Sequence, residues 1–132
     1  MNPYSKYKQA SSLAWTRIDM LLVIYDQAVL ALDEGRRLLG ENRASELGPV
    51  QLRAMRALVA IVDGLDLRQG ELPIQIVRLV EFSLDQIRSS SPNAWHSAAE
   101  VINTLRSGFQ QIQEQARNDE YEGRIPALGA VS

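Results

Sequence analysis

Cysteine is absent, and histidine occurs once, at His96. The first absence excludes a disulfide scaffold and a thiolate metal site, and the second a multi-histidine metal centre. No apolar run exceeds six residues, the length of Met20–Tyr25. A membrane span needs about twenty, so no inserted segment is expected. Neither charge sign is in marked excess: the net charge is −2, which gives no electrostatic reason to expect nucleic acid or an anionic membrane as partner. The start, Met1-Asn2-Pro3-Tyr4-Ser5-Lys6-Tyr7-Lys8, has no apolar stretch after its lysines, unlike a secretory signal. The expected compartment is therefore the cytoplasm. What remains is ordinary globular composition in 132 residues, enough for one domain with its own core.

Helical periodicity fills most of that length. A first segment runs from about Thr16 to Leu39. Thr16 is an N-cap candidate with Asp19 three positions on, and Gly40 is placed to end the helix. Ile18, Leu21, Leu22, Tyr25, Ala28, Val29 and Leu32 share one face. A second segment follows Gly48-Pro49, with Leu52, Met55, Leu58, Val59, Val62 and Leu65 as its stripe. A third begins near Leu72-Pro73 and carries Ile76, Val80, Leu84 and Ile87. A fourth begins at Ser91-Pro92, and Ala98, Ile102, Leu105, Phe109, Ile112 and Ala116 form an a/d seam. No stretch alternates with period two, and no hairpin turn signal occurs. The expected architecture is all-α, an antiparallel up-down four-helix bundle over 16–120. A helical N-terminal cap segment (1–15) precedes it and a flexible tail (121–132) follows.

The first helix is more apolar than one core stripe requires. Met20, Ile24, Ala31 and Leu38 form a second stripe, and Val23 and Leu30 a further patch. Smaller surpluses fall at Val50 and Ile61 on the second helix and at Leu79 and Phe82 on the third. Two readings stay open: a central helix buried between neighbours, or an apolar groove that receives another chain. The N-terminal segment bears on the second. Asn2 can cap, Pro3 suits a first turn, and Tyr4 and Tyr7 stand three apart on one side of it. Tyrosine suits a surface that is alternately covered and wet. The plain alternative is a frayed terminus.

Several motifs, taken in order, resemble the FliS family of flagellar export chaperones. Asn2-Pro3-Tyr4-Ser5-Lys6-Tyr7-Lys8-Gln9 is similar to the family's opening. Leu22-Val23-Ile24-Tyr25-Asp26-Gln27-Ala28 is similar to its first-helix L-x-L-Y-D-G-A signature, with Gln27 in place of the glycine. Leu65-Asp66 and Gly70-Glu71-Leu72 resemble the L-D … G-E-L turn between the second and third helices. Val101-Ile102, Leu105-Arg106 and the aromatic position Phe109 resemble the fourth. The resemblance implies a bundle that binds the C-terminal helical region of flagellin in the cytoplasm and prevents polymerisation before export. It also implies an N-terminal segment that covers part of the bundle when no partner is bound, with Tyr4 and Tyr7 as the displaceable cap. On that reading the partner-binding residues are Tyr4, Tyr7, Met20, Ile24, Tyr25, Ala31, Leu79 and Phe82. Tyr25 lies on the core stripe as well, so a purely structural role stays open. The molecule is a monomer or weak dimer, with room for another flagellar export or regulatory protein as a second partner.

Nothing in the chain points to catalysis or to a cofactor. There is no phosphate-binding glycine loop and no nucleophile–histidine set at a supporting spacing. A histidine phosphotransfer domain shares the fold class. Trp95-His96-Ser97-Ala98-Ala99-Glu100, however, lacks the lysine and glycine that typically attend a phosphoryl group, and Glu100 has the wrong sign for one. A generic helical interaction bundle, or a homodimer joined through the first helix, is the remaining alternative.

Overall fold

Thr16 opens the first helix, α1 (Arg17–Gly40), from extended backbone. Its N–H and its Oγ1 both donate to Asp19 Oδ2, each at 3.0 Å. The computed structural model describes residues 15–126. Within them α1 is followed by a 3₁₀ turn (Ala44–Glu46), α2 (Leu47–Asp63), α3 (Glu71–Gln86), α4 (Pro92–Gln111) and a short α5 (Gln113–Tyr121). No strand occurs among the described residues. The cap segment expected at 1–15 lies outside them except for Trp15, as does the tail beyond Pro126.

Each long helix packs on two others: α1 on α2 and α4, and α3 on α2 and α4. The faces turned inward are mostly those set by periodicity. Ile18, Leu22, Tyr25, Ala28, Val29 and Leu32 of α1 are buried, as are Ile76, Val80 and Ile87 of the third segment and Trp95, Ala98 and Ile102 of the fourth. Each fully buried large aliphatic contributes roughly 1.5–3 kcal/mol of transfer free energy.

The structure departs from the periodic reading in three places. On α2 the buried face is Leu47, Val50, Ala54, Ala57, Leu58 and Ile61, whereas Leu52, Met55 and Val59 are 43–47% exposed. The helix turns its alanines inward, where Ala57 and Ala31 of α1 share one crevice, because small side chains let two helices approach closely. The larger Leu and Met dominate a hydropathy stripe, but here they lie outside. Val50 and Ile61 are therefore core. The end of α1 is the second departure. Gly40 is the last helical residue, and Asn42 takes the left-handed conformation with φ 61°. Arg43 N–H donates to Leu38 O at 2.8 Å and Asn42 N–H to Leu39 O at 3.2 Å, a Schellman closure in which asparagine does the work usually given to glycine. Lastly, the a/d seam of α4 stops at Phe109. The helix breaks at Ile112, which is 51% exposed, and the chain resumes as α5.

α5 folds against the start of α1 through polar groups. Gln113 Nε2 donates to Asp19 Oδ1 at 2.8 Å, and Arg117 Nε lies 3.4 Å from Asp19 Oδ2. Burial by itself would raise the Asp19 carboxyl. The hydrogen bonds from Gln113 and Thr16, with the Arg117 charge, more than offset it and hold the group below the ordinary carboxylate value. A lowered folded pKa means stability that is present above the unfolded value near pH 4 and lost as pH falls through the folded one. Acid unfolding followed by circular dichroism should therefore show a shallower acid limb for Asp19→Asn than for the wild type. Between pH 6 and 8 the two should run parallel.

Candidate apolar groove

Tyr25 is fully buried, and its ring lies 5.5 Å from that of Phe109 at an interplanar angle of 35°. Burial pushes its phenol up to about 12. The hydroxyl has no hydrogen-bond partner among the described residues. A buried, unsatisfied hydroxyl is a cost. Tyr25→Phe should accordingly raise the melting temperature, by the equivalent of about 1 kcal/mol, measurable by calorimetry.

Phe109 passes from that core contact to the surface. With Leu72 and Ile76 of α3 and Leu105, Gly108 and Ile112 at the end of α4, it lines a groove of about 300 Å³ whose walls are almost wholly apolar; Thr104 is the single polar contributor. The groove exists because the two helices are mismatched in length. α4 has 20 residues and α3 has 16, so the last apolar turn of α4 faces the first turn of α3 with little above it. Leu72 is 59% exposed and Ile112 51%. At Gly108 an added Cβ would meet nothing within 4 Å, which is the open floor of the groove.

The residues expected to bind a partner are distributed unevenly about this feature. Tyr4 and Tyr7 lie outside the described residues. Tyr25 and Ala31 are core, 0% and 4% exposed. Ile24 is half-buried against the core cluster. Met20 is 41% exposed on α1. Leu79 and Phe82 are exposed on α3, where Leu79 stands two turns beyond Leu72 on the same face and Phe82 one turn further. Leu79 and Phe82 are thus exposed on α3 but do not line the groove, and of the second stripe of α1 Ala31 and Leu38 are inside while Met20 is exposed. Sequence reasoning did not single out Leu72 or Gly108 as site residues and assigned Leu105, Phe109 and Ile112 to the a/d seam. One signal was available: a glycine in the middle of a seam of large residues leaves a gap beside them.

Two further features lie outside the groove. Leu52, Met55 and Val59 make a second exposed apolar row on α2. His96 sits on the surface with Nε2 3.0 Å from Glu100 Oε1, an ordinary i, i+4 pair. Among the described residues no three His, Cys, Asp or Glu side chains are grouped to hold a metal ion, and no helix is long and apolar enough to cross a membrane. No protein-family model, curated protein or solved structure matches this chain.

Proposed function

We propose that this protein is a cytoplasmic export chaperone that binds the C-terminal helical region of flagellin and keeps it from polymerising before secretion. It acts by stoichiometric binding, on an antiparallel up-down four-helix bundle. The observation that carries this reading is the α3–α4 groove. Three of its lining residues, Leu72, Leu105 and Phe109, belong to the motifs that resemble the FliS family, and Tyr25 of the first-helix motif packs beneath Phe109. Leu72, Leu105, Phe109 and Ile112 offer an amphipathic partner helix an apolar trough, and Leu79 and Phe82 are further exposed apolar residues along α3. Helices that assemble only in a filament carry apolar faces that need cover beforehand.

Calorimetric titration with the flagellin C-terminal segment from the same organism tests the proposal. One-to-one binding with a negative heat-capacity change is the expected result. Absence of binding at tens of micromolar, with the protein shown to be folded, would overturn it. The exposed row Leu52, Met55 and Val59 favours a second reading, a helical interaction module or homodimer with a different client. Sedimentation velocity across a concentration series distinguishes the dimer.

A further inference from the structure

The charge of Glu120 has no part in the groove, yet its side chain is only 4% exposed. It comes from α5, whose sequence Gln113-Glu114-Gln115-Ala116-Arg117-Asn118-Asp119-Glu120-Tyr121 has only Ala116 and Tyr121 as apolar residues. Tyr121 is 48% exposed, so the helix has little apolar surface with which to hold itself down. Among the described residues, its polar contacts to the bundle gather at the first turn of α1. Arg17 N–H donates to Glu120 Oε1 at 3.0 Å, with the Arg17 guanidinium 3.9 Å from the same carboxylate. Gln113 and Arg117 grip Asp19. Just past α5, Arg17 Nε donates to Pro126 O at 2.7 Å. A carboxylate at a helix N-terminus is favoured by the unpaired N–H groups there and by the helix dipole.

We infer that α5 is a strap: a unit that closes over the entry into α1 and opens on its own while α1–α4 stay folded. Its hinge is the single residue Ile112, which ends α4 and begins α5. Beside the strap lies an open pocket of about 440 Å³ between α1 and the end of α4, lined by Trp15, Leu22 and the carboxylates of Asp19 and Asp26 together with Gln113 and Arg117 of α5 itself. Opening removes one wall of that pocket and releases the Arg17 N–H at the start of α1. Such an opening is inexpensive because it exposes little apolar area and strands no charge: Glu120 moves into water. The strap does not depend on the flagellin reading.

Hydrogen exchange of the full chain, read by mass spectrometry, tests this inference. In the wild type, residues 113–121 should exchange together and faster than the core amides of α4. Glu120→Ala should accelerate residues 113–121 and the first turn of α1 by roughly fivefold to tenfold, the loss expected for one helix cap, and leave α2, α3 and the centre of α4 unchanged. Gln113→Ala, at the opposite end of α5, should accelerate the same two segments. Exchange of α5 only at the rate of the α4 core would overturn the strap. So would a Glu120→Ala effect spread evenly over α2–α4, or a Gln113→Ala effect confined to its own turn.

Discussion

Gly35→Ala should destabilise the protein by about 2–3 kcal/mol, a fall in melting temperature of roughly 8–12 °C for a domain of this size. The sign is the informative part. In an ordinary helix interior the same change gains up to about 1 kcal/mol, since alanine restricts the unfolded chain and favours the helix. At position 35 a Cβ would lie 2.3 Å and 2.4 Å from two carbons of the Trp95 ring, closer than packed atoms tolerate. Neither partner has room to yield. Trp95 is fully buried, and its indole N–H donates to Ser89 O at 2.9 Å, which ties the ring to the turn before α4. The glycine is therefore the seat for the largest side chain in the core. A double-mutant cycle separates this contact from any general weakness of α1. In a Trp95→Ala background, itself costing about 3–5 kcal/mol, Gly35→Ala should become neutral or stabilising. Calorimetric melting of the four variants measures the cycle.

The Gly35–Trp95 contact was not legible in the sequence, and the reason is general to this chain. Signals that act within one turn were plain. Thr16 with Asp19, Pro92 in the first turn of α4, and the stripe Ile18–Leu22–Tyr25–Val29–Leu32 are all local, and the structure uses each of them. Signals that need a neighbour were not. Whether α2 buries Leu52 and Met55 or Ala54 and Ala57 depends on how near α1 comes, and hydropathy weighs the bulky residues without regard to distance. The groove depends on where α3 begins relative to the end of α4, a relation between two segments more than thirty residues apart in sequence. The role of α5 was hidden because a polar stretch resembles a fraying end until the carboxylate of Glu120 is seen at the N-terminus of α1. The second stripe of α1 shows the converse. Its surplus apolar residues were visible, and the fold turns Ala31 and Leu38 inward because α1 has neighbours on two sides.

If the proposed client seats in the groove, filling it at Gly108 should weaken binding sharply without harm to the fold, with the opposite stability effect to that at Gly35. A Cβ at Gly108 meets nothing within 4 Å, and glycine in a helix interior is poorer than leucine by most of a kcal/mol. Gly108→Leu should therefore melt at or slightly above the wild-type temperature while its side chain occupies the space between Leu72, Leu105 and Ile112. If an apolar anchor of the flagellin segment sits there, affinity in the calorimetric titration should fall about 30-fold or more, the loss typical of a central anchor worth at least 2 kcal/mol. Ile24→Asp supplies the contrast. Ile24 is half-buried against the core, so an aspartate there should cost several kcal/mol and lose the cooperative melt together with binding. Binding lost with stability intact at Gly108 places the client between α3 and α4. A Gly108→Leu protein that binds as tightly as the wild type moves the client off this groove. The exposed row Leu52, Met55 and Val59 on α2 would then be the next surface to block, with Met55→Glu.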